Sequence, residues 1–258
     1  MRLTFLGTGT SFGIPVVGCD CATCTSDDPR DRRTRNGALL SLPGGILLVD
    51  APPELRLQLV REGVRSIDAV WLTHAHADHV HGIDDLRVFT ARGGRSLPTY
   101  VPRECVDELH DRFPYIFDPR IRPPEGTTKP EIRLLTLHGE EPVDILGASF
   151  RPLAVPHGAV SVYGFRVGGL GYITDAKRLT PTVVEALRGV RVLVLNALWF
   201  GDPHPTHFNV EEAVEAARTV GAARTYLIHM THRLRHRDLL GRLPDGIEPA
   251  YDGLTLEI

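Results

Sequence analysis

The chain has 258 residues, of which 42% are hydrophobic and 24% are charged, an ordinary composition for a globular protein. Its net charge of −3 argues against a non-specific nucleic-acid binder. The apolar stretch 192–200 is too short for a transmembrane helix, and residues 1–7 lack the apolar run of a signal peptide. We therefore expect a cytoplasmic protein that does not bind membranes.

Strands and helices alternate along the chain. Apolar runs and turn signals predict strands at 2–6, 38–42, 46–49, 69–72, 99–101, 143–146, 149–155, 160–167, 170–174, 190–195 and 225–228. Helical spacing and end signals predict helices at 54–62, 83–91, 103–113, 181–187, 210–220 and 234–243. Hairpins interleaved with helices indicate an α/β fold of two helix-covered sheets, in a single domain over residues 1–258.

The segment 97–139 is the most ambiguous part of the pattern. It contains a short strand and a helix, followed by a region with six prolines between Pro114 and Pro142. A long segment with so little regular structure is often functional. We expect it to form an active-site lid or substrate loop.

A cluster of histidines follows the predicted strand at 69–72. His74, His76, Asp78 and His79 form an H-x-H-x-D-H motif. Three imidazoles and a carboxylate so close together are difficult to bury without partners, whereas they are typical ligands of Zn, Mn, Fe or Ni. In an extended turn His74 and His76 would point one way and Asp78 the other, which could supply two ions.

A second cluster contains three of the four cysteines. Cys19, Cys21 and Cys24 form a C-x-C-x-x-C motif, which in a reducing cytosol favours a metal site over disulfides. A structural zinc takes four ligands. His232 is a better fourth ligand than Cys105, which lies on a predicted helix far along the chain. The alternative is a set of reduced thiols in a loop.

The histidine motif, its place after an early strand and the following segment 82–87 resemble the metallo-β-lactamase superfamily of hydrolases. Members carry further ligands at later strand ends, and here His157, Asp175 and His229 follow in that order. The resemblance extends from Leu3 to about His232. It implies an αβ/βα four-layer sandwich of two mixed sheets flanked by helices.

The resemblance also implies a ligand set for two ions, either Zn or Mn. It assigns His74, His76 and His157 to one ion, Asp78, His79 and His229 to the other, and Asp175 to a bridge between them. An aspartate at 175 favours a binuclear hydrolase over a lactamase. In this family Asp50 would orient a metal-bound histidine, and the alternative is a strand-terminal turn.

The cysteine cluster with a nearby histidine resembles a branch that includes the cyclic-phosphate phosphodiesterase of bacterial phosphonate utilisation. The implied function is hydrolysis of a small phosphodiester, cyclic phosphates included, by a metal-bridging hydroxide. Asp78 and Asp175 would act at the ions. Phosphodiesterases of this family use an extra loop histidine as a general acid, and His207 fits that role, with His204 as the alternative. Asn209 is the expected N-cap of the next helix.

Other functions stay open within the same family. One is a ribonuclease of the tRNA 3′-processing type, although nucleic acid is not the expected partner because residues 97–139 are too short for an RNA-gripping arm. Others are a non-hydrolytic cofactor-biosynthesis protein and an iron dioxygenase acting on persulfides. A homodimer is a candidate assembly.

The turn 7–11 fits a tight turn at the rim of the site, and Arg35 and Asn36 either contact a phosphate or form loop contacts.

Overall fold

The computed structural model describes residues 1–258 and contains fourteen strands and eight α-helices. The strands are β1 (Arg2–Gly7), β2 (Gly37–Leu42), β3 (Gly45–Val49), β4 (Ala69–Trp71), β5 (Leu97–Pro102), β6 (Ile132–Leu137), β7 (Val143–Ile145), β8 (Ala148–His157), β9 (Val160–Val167), β10 (Leu170–Tyr172), β11 (Val192–Asn196), β12 (Arg224–Ile228), β13 (Ile247–Pro249) and β14 (Thr255–Glu257). The helices are α1 (Leu55–Arg61), α2 (Ala77–Val80), α3 (Arg87–Gly93), α4 (Arg103–Arg112), α5 (Pro114–Phe117), α6 (Pro181–Leu187), α7 (Val210–Val220) and α8 (His236–Leu240).

The strands form two mixed sheets of seven strands each. The first has the order β14-β1-β2-β3-β4-β5-β6, and the second has the order β13-β12-β11-β10-β9-β8-β7. In the first sheet the strands from β3 to β6 are parallel, and in the second those from β10 to β13 are parallel. Parallel strands end at the same edge of their sheet, so the loops that follow them lie side by side.

Three apolar layers hold the sheets and helices together. The core between the sheets includes an aromatic group of Trp71, Phe150, Phe165 and Tyr172, in which neighbouring ring centroids lie 5.2 to 5.9 Å apart. A second core lies between the first sheet and helices that include α1 and α4, and a third between the second sheet and helices that include α6 and α7. This arrangement confirms the predicted four-layer sandwich.

The segment 97–139 is more regular than the sequence predicts. Strand β6 pairs in parallel with β5 over its whole length, from Leu97 opposite Ile132 to Pro102 opposite Leu137. Strand β6 lies at the edge of the sheet. The prolines that make the sequence pattern ambiguous flank this strand and do not interrupt it. The longest irregular part is 118–131, and these residues do not line the cavity over the predicted metal ligands.

Two helices have different bounds from those predicted, and two strands were not predicted. The helix expected at 83–91 is divided into a 3₁₀ turn, Ile83–Leu86, and α3. The helix expected at 234–243 is restricted to α8. Strands β13 and β14 were not predicted, since each has only three residues and gains its stability from pairing with distant strands.

No helix in the structure is both long enough and apolar enough to cross a membrane.

Candidate metal centre and active site

The predicted ligands lie where strands of both sheets end. His74 and His76 follow β4 of the first sheet, whereas His157 ends β8 of the second. Asp175 and His229 follow β10 and β12, which are also in the second sheet. The ligand set is therefore assembled between the two sheets.

The histidine loop is extended only as far as His76, which has φ −64° and ψ 150°, and helix α2 begins at Ala77. Asp78 and His79 thus lie on one helical turn. The expectation that alternation in an extended turn separates Asp78 from the histidines is wrong in its geometry. The change from extended to helical backbone produces the separation instead.

The donor atoms form overlapping groups in which all members lie within 4.8 Å of one another. The groups are His74, His76, His157 and Asp175; Asp78, His79 and His229; and Asp175, His207 and His229. Asp175 lies between the sets, because its Oδ2 is 3.7 Å from His74 Nε2 and 3.3 Å from His79 Nε2. Its Oδ1 is 3.5 Å from His229 Nε2.

These residues fit two divalent cations. The Nε2 atoms of His74, His79 and His229 are buried and have no hydrogen-bond partner in the protein, which is unusual for buried polar groups. Nitrogen and oxygen atoms bonded to one tetrahedral zinc at about 2.0–2.2 Å lie roughly 3.3–3.6 Å apart, close to the separations found here. Imidazole and carboxylate donors suit zinc or manganese.

Asp50 orients His79 from behind. The carboxylate is fully buried at the end of β3, and its Oδ2 lies 2.6 Å from His79 Nδ1. It also accepts hydrogen bonds from the backbone N–H and hydroxyl of Thr73. With Nδ1 donating to Asp50, the Nε2 of His79 is free to bind a cation. Burial raises the pKa of Asp50, and the neighbouring His79 opposes that shift.

Three site residues adopt left-handed backbone conformations. Asp50, Asp175 and His229 have φ values of 61°, 52° and 53°. Such conformations cost about 1–3 kcal/mol each in residues other than glycine, and they are concentrated at functional sites. No sequence pattern signals them, because aspartate and histidine are also common in ordinary turns.

The structure distinguishes His207 from His204. The Nε2 of His207 lies 3.4 Å from Asp175 Oδ2, and its ring stacks on that of His229 with centroids 5.0 Å apart. His204 lies behind it, where its Nδ1 is 3.2 Å from the hydroxyl of Thr206. Burial lowers the pKa of His207, and Asp175 opposes the shift.

The loop that carries His207 is braced by the helix that follows it. Asn209 caps α7 as predicted, since its side chain accepts the N–H of Glu212, and the Glu212 carboxylate accepts the N–H of Asn209. The carbonyl of Thr206 lies 3.0 Å from His157 Nδ1. The other ring nitrogen of His157, Nε2, is therefore the one available to a cation.

The three clustered cysteines surround His232. Their Sγ atoms lie 3.3 Å (Cys19), 3.5 Å (Cys21) and 3.6 Å (Cys24) from His232 Nδ1. Sulfur and nitrogen bonded to one tetrahedral zinc, at about 2.3 and 2.0 Å, lie roughly 3.5 Å apart, so the four residues fit a zinc ion. Cys105 is buried in α4, outside this cluster, and burial raises its pKa to about 12.

The glycine-rich turn after β1 is shaped by close packing. A Cβ on Gly7 would lie 1.9 Å from the carbonyl oxygen of Arg35, and one on Gly9 would lie 2.7 Å from that of Arg33. Arg35 pairs with Glu54 at 2.5 Å. Asn36 is buried and donates to the hydroxyl of Tyr172. Arg35 and Asn36 therefore make loop and core contacts in this structure.

A cavity of about 370 Å³ opens over the ligands. Its lining includes Ser11 of the glycine-rich turn and five of the predicted site residues with ring or carboxylate donors: His76, Asp78, His157, Asp175 and His229. His207 lines the same cavity. A molecule in it could reach both donor groups and His207 together.

Comparison with known proteins places these features in a family. A model of the β-lactamase superfamily domain matches residues 46–230, a range that includes Asp50 and the predicted ligands from His74 to His229. The chain belongs to the metallo-β-lactamase superfamily. Its relatives in this superfamily include metal-dependent hydrolases, and this chain is also a metal-dependent hydrolase.

One similar solved structure is a diphosphatase from the PhnP family. The similarity covers 100% of this chain and 97% of that chain, with a TM-score of 0.91 and 39% sequence identity. A protein of Porphyromonas gingivalis named octanoyltransferase is 37% identical over 98% of this chain, but the chain spans only 51% of it. A ribonuclease Z of Pyrobaculum arsenaticum is 29% identical, over 95% of this chain and 93% of its own length.

Proposed function

We propose that this hydrolase is a binuclear metal-dependent phosphodiesterase that acts on a small phosphodiester, cyclic phosphates included. The observation that carries the proposal is the position of Asp175, whose two carboxylate oxygens face imidazoles of both donor groups. Similarity to a diphosphatase at 39% identity over the whole chain supports phosphate chemistry.

Each part of the site has a defined task in this reaction. The three histidines His74, His76 and His157 would hold one ion, and Asp78, His79 and His229 the other, with Asp175 shared. When bound, the two ions supply Lewis acidity and positive charge for the phosphate group and the attacking water. Asp50 keeps the Nε2 of His79 available for its ion.

His207 is positioned to donate a proton to the departing oxygen. Its Nε2 faces the bridging carboxylate at 3.4 Å, and its ring lines the cavity where the phosphodiester would lie. A histidine suits this role because its pKa can lie near neutrality. His204 would support it through Thr206, to whose hydroxyl both rings are hydrogen bonded.

A second candidate function is a ribonuclease of the tRNA 3′-processing type. The relative named ribonuclease Z covers nearly the whole chain and supports it. The net charge of −3 favours a small substrate, because a protein that grips RNA uses a basic surface to neutralise phosphates.

The deciding experiment is a substrate screen on protein loaded with Zn²⁺ or Mn²⁺. We expect turnover of bis(p-nitrophenyl) phosphate and of a five-membered cyclic phosphodiester, and none by Asp175→Asn. Cleavage of a precursor tRNA without turnover of the small esters would favour the ribonuclease. An octanoyl thioester belongs in the screen because of the Porphyromonas relative, and metal binding without any hydrolysis would overturn the proposal.

A further inference from the structure

A second pocket, of about 200 Å³, lies beside the catalytic cavity. The two are separated by the turn at 10–13, in which Ser11 lines the catalytic cavity while its neighbours Thr10 and Phe12 line the second pocket. Thr231, two residues beyond His229, also lines the second pocket. A substrate bound at the metals therefore lies close to this pocket.

The wall of the pocket is aromatic and cationic. The guanidinium of Arg233 lies over the indole of Trp199, 4.6 Å from the ring centroid, and Arg233 makes no ion pair with a carboxylate. Phe12 is 72% exposed and faces the same space. Aromatic rings and an arginine plane together bind flat π-systems, because the rings stack and the guanidinium both stacks and donates hydrogen bonds.

The indole of Trp199 and the backbone turn that presents Phe12 are both held in place by neighbouring residues. Trp199 Nε1 donates to the carbonyl of Asp202 at 2.8 Å, and the indole contacts the edge of His204 with centroids 5.4 Å apart. The turn that presents Phe12 is closed by a hydrogen bond from the N–H of Gly13 to the carbonyl of Thr10. Arg35 Nε also donates to the carbonyl of Ser11 at 2.7 Å. The pocket is therefore preorganised for a ligand.

We propose that this pocket binds a planar aromatic group of the nucleobase class, carried by the phosphodiester substrate. The base would stack against Phe12 and lie against the guanidinium of Arg233, which itself lies over Trp199. The pocket is smaller than the catalytic cavity, so it suits a base while the phosphate lies at the metals. This inference rests on the proposed function and names its substrate class, a nucleoside-containing phosphodiester.

A matched pair of esters tests the inference. Thymidine 5′-(p-nitrophenyl) phosphate and methyl p-nitrophenyl phosphate share a leaving group and differ in the presence of a nucleoside. We expect the metal-loaded enzyme to have a kcat/KM roughly tenfold or more higher for the thymidine ester, which corresponds to stacking of one base. Phe12→Ala should raise KM for the thymidine ester and so remove most of this preference.

The same loop supplies a matched control. Val17 is 99% exposed and does not line the pocket, so Val17→Ala should retain the full preference. Arg233→Met should lower the preference as Phe12→Ala does. Hydrolysis of both esters at equal kcat/KM, or a preference that survives Phe12→Ala and Arg233→Met, would overturn the subsite while the phosphodiesterase function stands.

Tryptophan fluorescence gives a readout that does not need turnover. The chain has two tryptophans, and Trp71 is fully buried in the core between the sheets, so Trp199 reports on the pocket. Thymidine 5′-monophosphate should quench the emission of the wild type with saturation, inorganic phosphate should not, and Phe12→Ala should weaken the apparent affinity roughly tenfold. Equal responses to the nucleotide and to phosphate would contradict the inference even if neither ester were hydrolysed.

Discussion

Asp175 combines a strained backbone with close contacts to several imidazoles. It is 2% exposed, has φ 52°, and lies within 3.7 Å of ring nitrogens of His74, His79, His207 and His229. Burial raises its pKa, but the surrounding imidazoles more than offset this and hold the pKa well below its ordinary value. The carboxylate is thus an anion placed where two cations would share it.

Asp175→Asn tests that role with little change in shape. Asparagine tolerates the left-handed backbone, so the fold should persist, but the side chain loses the negative charge between the ions. We expect loss of phosphodiesterase activity, measured with bis(p-nitrophenyl) phosphate, and an unchanged far-UV circular dichroism spectrum. Asp111→Asn, on the exposed face of α4, is the control. Undiminished activity of Asp175→Asn would rule out a binuclear mechanism.

The loss of rate caused by His207→Ala should depend on the leaving group of the ester. A missing general acid costs roughly 10²–10⁴ in rate when the departing oxygen needs a proton. We therefore expect a large loss of kcat on alkyl or ribose esters and near-normal rates with p-nitrophenolate as the leaving group, which needs little protonation. His204→Ala should have a smaller effect, because His204 lies behind Thr206. Equal impairment on both kinds of ester would assign the proton to another group.

At the scale of elements, the sequence predicts the long and strongly patterned parts of the fold. Strands β8 and β9 and helices α6 and α7 begin and end within one or two residues of the expected positions. The candidate ligands could be predicted because their motifs follow strands in a family order. Strands β6, β13 and β14 could not, because their stability comes from pairing with partners distant in sequence.

The local backbone conformations at the site could not be predicted from the sequence either. The helical turn at Ala77 directs Asp78, and the left-handed conformation at His229 directs a ligand, yet neither has a distinctive residue pattern. The pocket formed by Phe12 and Trp199 joins two loops about 190 residues apart, and only tertiary packing reveals it.

The cysteine loop, residues 19–24, contacts the segment after β12 through the cluster of Cys19, Cys21, Cys24 and His232. Cys21→Ser should therefore lower the thermal midpoint of unfolding, since binding of a structural zinc is coupled to folding. Its effect on kcat should arise mainly through that loss of stability. Cys105→Ser, outside the cluster, is the matched control, and an unchanged midpoint for Cys21→Ser would contradict a structural zinc.

Helix α8 should make stability depend on pH. His236 is 3% exposed, and burial, aided by Arg30 and Arg33, lowers its pKa to about 4. As the pH falls from about 6.5 to 4 the unfolded chain takes up a proton before the folded one does, so stability is full above 6.5 and is lost on acidification. His236→Phe cannot titrate. Its thermal midpoint should fall less than that of the wild type between pH 7 and pH 5, and equal falls would show that His236 does not contribute.

At the scale of the whole molecule, both sheets contribute to each part of the site. Asp50 and the histidine motif extend from the first sheet, whereas His157, Asp175 and His229 extend from the second. The core between the sheets, which includes Trp71 and Phe165, therefore fixes the distance between the two halves of the ligand set. Loss of packing in that core should affect the metal site as well as stability.

The two ligand clusters together predict the metal content of the protein. Protein purified without chelator should contain about three metal equivalents by elemental analysis, two in the catalytic pair and one held by the cysteines. Cys21→Ser should lose one equivalent and Asp78→Ala should lose catalytic metal while keeping the cysteine-bound ion. Thiol titration supplies an independent measure, because Cys19, Cys21 and Cys24 should become reactive only when that ion is removed, while Cys105 stays buried in both states. A single equivalent in the wild type, with the clustered thiols freely reactive, would contradict both sites at once.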